Sequence, residues 1–150
     1  MRFFCSRMSN IINEVSKYWN QESNCAQAVA GGVLEYYNMN ECLDIVDNAL
    51  LGFGGGMGER SICGAVTGGL AALGIIISKK NLEKEERSEV FKKFRELFEM
   101  EFDTLKCGEI LEEFILPDGS VDFENPQRSM KCTRAVETAA KSVKRVIDEL

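Results

Sequence analysis

The sequence of 150 residues contains no histidine and only two prolines. Without histidine, the chain lacks the commonest general acid–base side chain, so an enzyme of that type is disfavoured. Proline is the residue that most strongly breaks helices, and its scarcity leaves long stretches of sequence compatible with helix. These two absences favour an all-α protein and direct attention to side chains other than histidine.

Clustered positive charge and long apolar segments are also missing. The net charge is −6 and no stripe of lysine and arginine interrupts it, which argues against a nucleic-acid partner. The longest apolar run, residues 62–77, spans about 16 residues, whereas a membrane-spanning helix needs about 20. The N-terminus lacks the apolar core of a secretory signal. We therefore expect a cytoplasmic protein that does not span a membrane.

Apolar residues recur at helical spacing along most of the chain, as in Ile11, Val15 and Tyr18. This pattern predicts a compact bundle of about five to six helices in a single domain, residues 10–150, after an N-terminal extension, residues 1–9. Met8 is an alternative start within that extension. The expected helices are residues 11–19, 25–37, a helix after Ser61, 82–105, 107–116 and 130–150, with a short segment at 41–51 and turns or loops between them.

Six cysteines are present, and four of them share one local context. Each follows a serine or threonine, the residues that commonly begin a helix, by two or three positions. In the first turn of a helix, free backbone N–H groups and the helix dipole favour an anion such as a thiolate. We expect these four sulfurs to meet at one end of the bundle and the other two cysteines, Cys5 and Cys42, to be incidental. The four are Cys25 after Ser23, Cys63 after Ser61, Cys107 after Thr104 and Cys132 after Ser129.

Two chemistries are open to four converging thiols. They could bind zinc or an iron–sulfur cluster, or they could cycle between dithiol and disulfide. No C-x-x-C pair occurs, so any such site must be assembled by the tertiary fold. The thiols are expected to point inward, which favours a bound cluster slightly, because exchange needs an exposed attacking sulfur. The competing interpretation is that the cysteines are small core residues.

A glycine-rich segment, residues 52–58, precedes Cys63. It matches neither the P-loop nor the dinucleotide-binding pattern, because no lysine follows and the last glycine of the latter is absent. We expect its backbone N–H groups to approach the Cys63 sulfur instead. Gly64 and Gly68, four residues apart, leave a flat strip that another backbone or a cofactor could approach. The candidate cofactor-contacting glycines are Gly56, Gly58, Gly64 and Gly68.

The hexapeptide at residues 63–68, Cys-Gly-Ala-Val-Thr-Gly, resembles the C-G-A-x-x-G signature of a bacterial and archaeal family of redox-active proteins. That family is known by its cysteine pattern, C_GCAxxG_C_C, and Cys25, Cys63, Cys107 and Cys132 follow the same order. The resemblance implies a compact all-α domain with a redox role. The family is also similar to part of the split-Soret cytochromes c. This chain has no C-x-x-C-H motif, so it is not expected to carry covalent c-type haem.

The sequence thus predicts a redox-active or electron-transfer protein, and an oxidoreductase activity is one form this could take. Its redox partner cannot be read from the residues, and a homodimer is compatible with its apolar helices. The alternative is a non-catalytic helical interaction module, in which the cysteines are buried or hold a structural zinc. In that case the strip formed by Gly64 and Gly68 would pack a partner helix.

Overall fold

Seven α-helices form the described part of the chain, residues 10–150, in the computed structural model. The only β-structure within these residues is two isolated antiparallel bridges. The predicted all-α bundle is confirmed, whereas the predictions for Cys5, Met8 and the extension 1–9 fall outside the described residues. The helices are α1 (Ile11–Trp19), α2 (Cys25–Tyr36), α3 (Leu43–Ala49), α4 (Gly64–Ser78), α5 (Lys84–Phe102), α6 (Cys107–Ile110) and α7 (Pro126–Asp148).

Two helices rich in small residues, α2 and α4, lie at the centre of the bundle. The whole of α2 from Ala26 to Leu34 is buried, and α4 is buried on most of its circumference. Neighbours cover both helices from several sides: α1, α3, α4 and α7 pack on α2, while α5 and α7 also pack on α4. A helix covered in this way is apolar nearly all round.

The close approach of α2 and α4 depends on glycine. A Cβ atom added at Gly68 would lie 2.2 Å from the backbone oxygen of Ala26, a distance that no real side chain tolerates. The strip predicted at Gly64 and Gly68 is therefore occupied by the chain's own α2. It is not a free surface for a partner helix, which corrects that part of the interaction-module interpretation.

Larger side chains on the outer helices complete the core. Phe94 and Phe98 of α5 are fully buried, and Val136 and Val143 of α7 lie against the central pair. These residues belong to the apolar stripes that the sequence predicts for the two helices. Leu150, at the end of the predicted last helix, is 52% exposed because the helix ends at Asp148.

Two helix starts differ from the predictions. Helix α4 begins after Cys63 rather than after Ser61, because Ile62 forms a bridge with Lys106 and keeps the backbone extended. Helix α7 begins at Pro126, four residues before its predicted start. Proline suits the first position of a helix, since the missing N–H has no partner there, and the side chain of Asn125 caps the turn.

None of the helices in residues 10–150 is both long and apolar enough to cross a bilayer.

Candidate functional site

All four predicted cysteines line a single cavity of about 330 Å³. Cys63 and Cys107 are buried, while Cys25 and Cys132 are partly exposed. The lining residues exposed to solvent mark the open side of the cavity; they are Gly55, Gly58, Arg60 and Phe123. The fold therefore places all four cysteines around one cavity, while a shared binding role for them stays a prediction.

Three of the cysteines reach the cavity from helix starts. Cys25 is the first residue of α2, where Asn24 and Gln27 form a capping box. Cys63 immediately precedes the first residue of α4, and Cys107 is the first residue of α6. The first turns of these three helices thus surround the same space.

The antiparallel Ile62–Lys106 bridge places Cys63 and Cys107 diagonally, one on each side of the bridged pair. The N–H of Cys63 donates to the oxygen of Leu105 at 2.8 Å, and the N–H of Cys107 donates to the oxygen of Ser61 at 2.7 Å. Successive side chains of an extended segment alternate between its faces. Cys63 and Cys107 are the next residues after the bridged pair on their two segments, so both side chains project to the same face.

Cys132 differs from the prediction. Because α7 begins at Pro126, Cys132 is the seventh residue of that helix and lies in its second turn, and Ser129 is not the cap. Its position is fixed by neighbours instead. The Nη1 of Arg128 lies 3.6 Å from the Cys132 sulfur, and Nε1 of Trp19 donates to the hydroxyl of Thr133 at 2.8 Å, which ties α1 to α7 beside it.

The glycine-rich segment contacts a different cysteine from the one expected. Burial raises the pKa of both Cys25 and Cys63; the backbone N–H of Gly55 opposes this rise at Cys25, and the N–H groups of Ala65 and Val66 oppose it at Cys63. The segment can fold over Cys25 because several successive residues adopt positive φ, the conformation that glycine adopts most readily. They are Gly55, Gly56, Met57, Gly58 and Arg60.

The four candidate glycines have different positions. Gly58 and Gly64 line the cavity. A Cβ added at Gly64 would lie 2.5 Å from the Cys25 sulfur, so this glycine makes room for that thiol. Gly56 supports the loop, with a virtual Cβ 2.5 Å from the Ser61 nitrogen, and Gly68 lies in the α2–α4 contact away from the cavity.

The electrostatics of the site favour neutral thiols. Burial raises the pKa of Cys25 and of Cys63, and it raises the pKa of Cys107 to about 11. Neighbouring sulfurs raise these values further, while the charge of Arg60 lowers the pKa of Cys107. Desolvation thus outweighs the helix-start effect, from which lower values were expected.

Neither a disulfide nor a preformed ion site is found in the described residues. Cys25, Cys42, Cys63, Cys107 and Cys132 are free thiols. No three cysteine or acidic side chains within residues 10–150 are grouped closely enough to hold a metal ion as they stand. Cys42 lies at the start of α3 and does not line the cavity.

The cavity also contains residues that were not predicted from the sequence, among them Arg60, Arg128, Trp19 and Phe123. One signal was available for Arg128, because it precedes Cys132 by four residues and so shares its helix face. Arg60, Trp19 and Phe123 come from a loop, another helix and an irregular segment, and only the tertiary fold brings them to the cysteines.

Comparison with known proteins agrees with the resemblance drawn from the sequence. The family model described as "Putative redox-active protein (C_GCAxxG_C_C)" matches residues 23–146, a span that contains all four cavity cysteines. Neither a curated protein nor a solved structure matches the chain.

Proposed function

The chain belongs to the C_GCAxxG_C_C family, and on that premise we propose that it is an electron-transfer protein whose four cavity cysteines together bind an iron–sulfur cluster. The observation that supports this proposal is the position of Cys25, Cys63, Cys107 and Cys132 around one cavity of about 330 Å³. Four cysteines are also the usual ligand set of such clusters.

The thiols of the described residues are not grouped as the ligands of a single ion would be. Four sulfurs bound to a single zinc ion, each at about 2.3 Å, lie roughly 3.8 Å from one another. No three cysteine or acidic side chains in residues 10–150 are grouped in this way. A polynuclear cluster places its ligands further apart, and the cavity among the four side chains offers it space. The zinc alternative stays a prediction that would require the loops to close further.

The residues around the cavity supply the conditions for such a group. Ile110, Leu111 and Val121 are buried and form part of an apolar wall, which limits water around the sulfurs. The thiols must lose their protons to become ligands, and since burial raises their pKa values, loading is expected to release protons. Held by these four cysteines, an iron–sulfur cluster would supply one-electron transfer between a donor of lower potential and an acceptor.

Thiol–disulfide exchange is the second candidate, favoured by the position of Cys63 and Cys107 on one face of the two bridged segments and in one cavity. In that reaction two thiols lose two electrons and two protons and form one S–S bond, while an oxidant such as glutathione disulfide becomes two thiols. The thiolate is the attacking species, and the pKa of about 11 at Cys107 leaves little of it at neutral pH. This chemistry is therefore slower in the arrangement described here than at an exposed, acidic cysteine.

Anaerobic purification tests the cluster directly. The protein should be brown, absorb visible light and contain iron and acid-labile sulfide, and Cys63→Ser should lose all three properties. Cys42→Ser is the matched control, because Cys42 lies outside the cavity, and it should load like the unmodified protein.

Other results would contradict the cluster. Colourless protein that stays free of iron after anaerobic reconstitution with iron and sulfide would refute it. Loss of two or four thiols as intramolecular bonds on mild oxidation of that protein would then support exchange. The cytoplasmic location, the redox partner and a homodimer remain proposals, each open to fractionation, cross-linking or sedimentation.

A further inference from the structure

Two arginines line the cavity beside the four cysteines, and its lining among the described residues includes no aspartate or glutamate. The sequence as a whole is acidic, with 24 acidic and 18 basic residues. The ionisable lining of this cavity thus consists of the cysteines, Arg60 and Arg128. Such a composition selects for a negatively charged occupant.

Arg128 is held in place by three contacts. Its Nη1 lies 3.6 Å from the Cys132 sulfur, its Nη2 donates to the Phe123 oxygen at 3.3 Å, and its guanidinium lies 5.0 Å from the centre of the Phe123 ring. Its Nε is buried and has no hydrogen-bond partner among the described residues. A buried N–H without a partner is costly, so this group would be stabilised by an acceptor that a bound group supplies.

Arg60 lies on the exposed side of the same cavity. It adopts a positive φ of 56°, and its guanidinium donates to the backbone oxygen of Gly119. Because Arg60 is exposed whereas Arg128 is partly buried, solvent screens its charge more strongly. The two arginines therefore face the site from its open side and from α7.

The net charge of the site can be summed for either bound group, an oxidised iron–sulfur cluster or a zinc ion. Four thiolates contribute −4, and an oxidised iron–sulfur core or a zinc ion contributes +2, which leaves −2. Arg60 and Arg128 together contribute +2. An uncompensated charge in an apolar cavity is unfavourable. We infer that Arg60 and Arg128 neutralise the net charge of a thiolate-bound group in this cavity, and that Arg128 donates a hydrogen bond to it through Nε.

This inference rests on the proposed function and adds a prediction about its reduction potential. Reduction by one electron makes the bound group more negative, so a nearby cation stabilises the reduced form. Removing the cation should lower the potential. The effect should be larger for Arg128 than for Arg60, because Arg128 is less exposed and its Nε has no other partner.

The test compares Arg128→Gln with Arg134→Gln in anaerobically loaded protein. Arg134 lies on the same helix, with its guanidinium 4.8 Å from the centre of the Phe102 ring and its Nε 3.3 Å from Glu101, but it does not line the cavity. We expect Arg128→Gln to favour the oxidised form about tenfold, which lowers a one-electron potential by about 59 mV. Arg134→Gln should leave the potential unchanged, and Arg60→Gln should give a smaller shift of the same sign.

Two further measurements show whether a variant changes the potential or instead fails to load or to fold. Iron per protein and thermal unfolding show whether each variant loads and folds, and Arg128→Lys, which retains the charge but not the Nε group, should fall between the unmodified protein and Arg128→Gln. If folded Arg128→Gln loses its iron while Arg134→Gln keeps it, the inference is also supported. Equal potentials for Arg128→Gln and Arg134→Gln in coloured protein overturn this inference alone. Colourless, iron-free unmodified protein overturns the proposed function and this inference together.

Discussion

Three glycines on α4 allow the packing and the site to be tested separately by substitution with alanine. They differ in what an added Cβ would meet. At Gly74 the nearest atom is the ring of Phe91 at 4.0 Å, at Gly68 it is the Ala26 backbone oxygen at 2.2 Å, and at Gly64 it is the Cys25 sulfur at 2.5 Å. The added methyl group would therefore contact almost nothing at Gly74, backbone at Gly68 and a candidate ligand at Gly64.

The magnitudes follow from these distances. Gly74→Ala should raise the free energy of unfolding by about 0.5–1 kcal/mol, since alanine is the better helix former and the site is open. Gly68→Ala should lower it by about 3 kcal/mol, because the contact is with backbone and the two central helices must move apart. For a protein of this size, that loss corresponds to a melting temperature about 6–12 °C lower.

Gly64→Ala is expected to differ from both in its effect on the site. The added methyl group must displace the Cys25 sulfur, so the cavity loses one correctly placed thiol along with about 1–3 kcal/mol of stability. We expect Gly64→Ala to lower iron per protein strongly after anaerobic reconstitution, while Gly74→Ala loads normally. Gly68→Ala should load in proportion to its folded fraction, since Gly68 does not line the cavity.

Urea unfolding followed by circular dichroism measures the stabilities, and iron analysis measures the loading. If Gly68→Ala proves as stable as Gly74→Ala, the close approach of α2 to α4 is wrong. If Gly64→Ala loads fully while stably folded, then the position of the Cys25 sulfur is not needed for binding, and the four-cysteine site loses its support.

Two further predictions concern protons and capping. Because the pKa of Cys107 is raised from 9.0 to about 11 in the folded state, the unfolded chain releases this proton first as the pH rises. Metal-free protein should therefore lose stability between about pH 9 and 11, and Cys107→Ser should flatten that loss; an equal slope in both proteins would contradict the burial argument. Asn24→Ala removes half of the capping box and two hydrogen bonds to the oxygens of Leu50 and Leu51. It should cost about 1–2 kcal/mol in urea unfolding, and a loss within error of zero would show that α2 starts elsewhere.

The positions of most helices could be predicted from the sequence, because they depend mainly on the local spacing of apolar residues. Ile11 and Val15 have the spacing of an amphipathic helix, and both are buried on α1 as expected. The start of α2 could be predicted because capping is local, although the capping residue is Asn24 and not Ser23. The start of α4 could not be predicted in this way, since Cys63 is held extended by a bridge to a segment more than forty residues later.

The candidate site also has features that local sequence predicts and features that depend on the tertiary fold. The four cysteines were identified by composition and order, and three of them do occupy helix starts. Cys132 does not, because Pro126 begins its helix earlier than expected. The direction of the pKa shifts was wrong for a related reason. The helix-start effect is local and can be read from sequence, whereas the desolvation that outweighs it depends on how α2, α4 and α6 surround the sulfurs.

Desolvation also explains how one fold can accommodate both a metal-free and a loaded site. Without a bound group, the raised pKa values keep the thiols of Cys25, Cys63 and Cys107 neutral, and neutral thiols are compatible with an apolar cavity. Loading replaces their protons with a cationic core and leaves a residual negative charge that Arg60 and Arg128 can balance. Loading should therefore become more favourable as the pH rises, until the metal-free protein itself loses stability. Iron uptake that is independent of pH between 6 and 8 would contradict this coupling, because it would mean that the ligands are already ionised before the group binds.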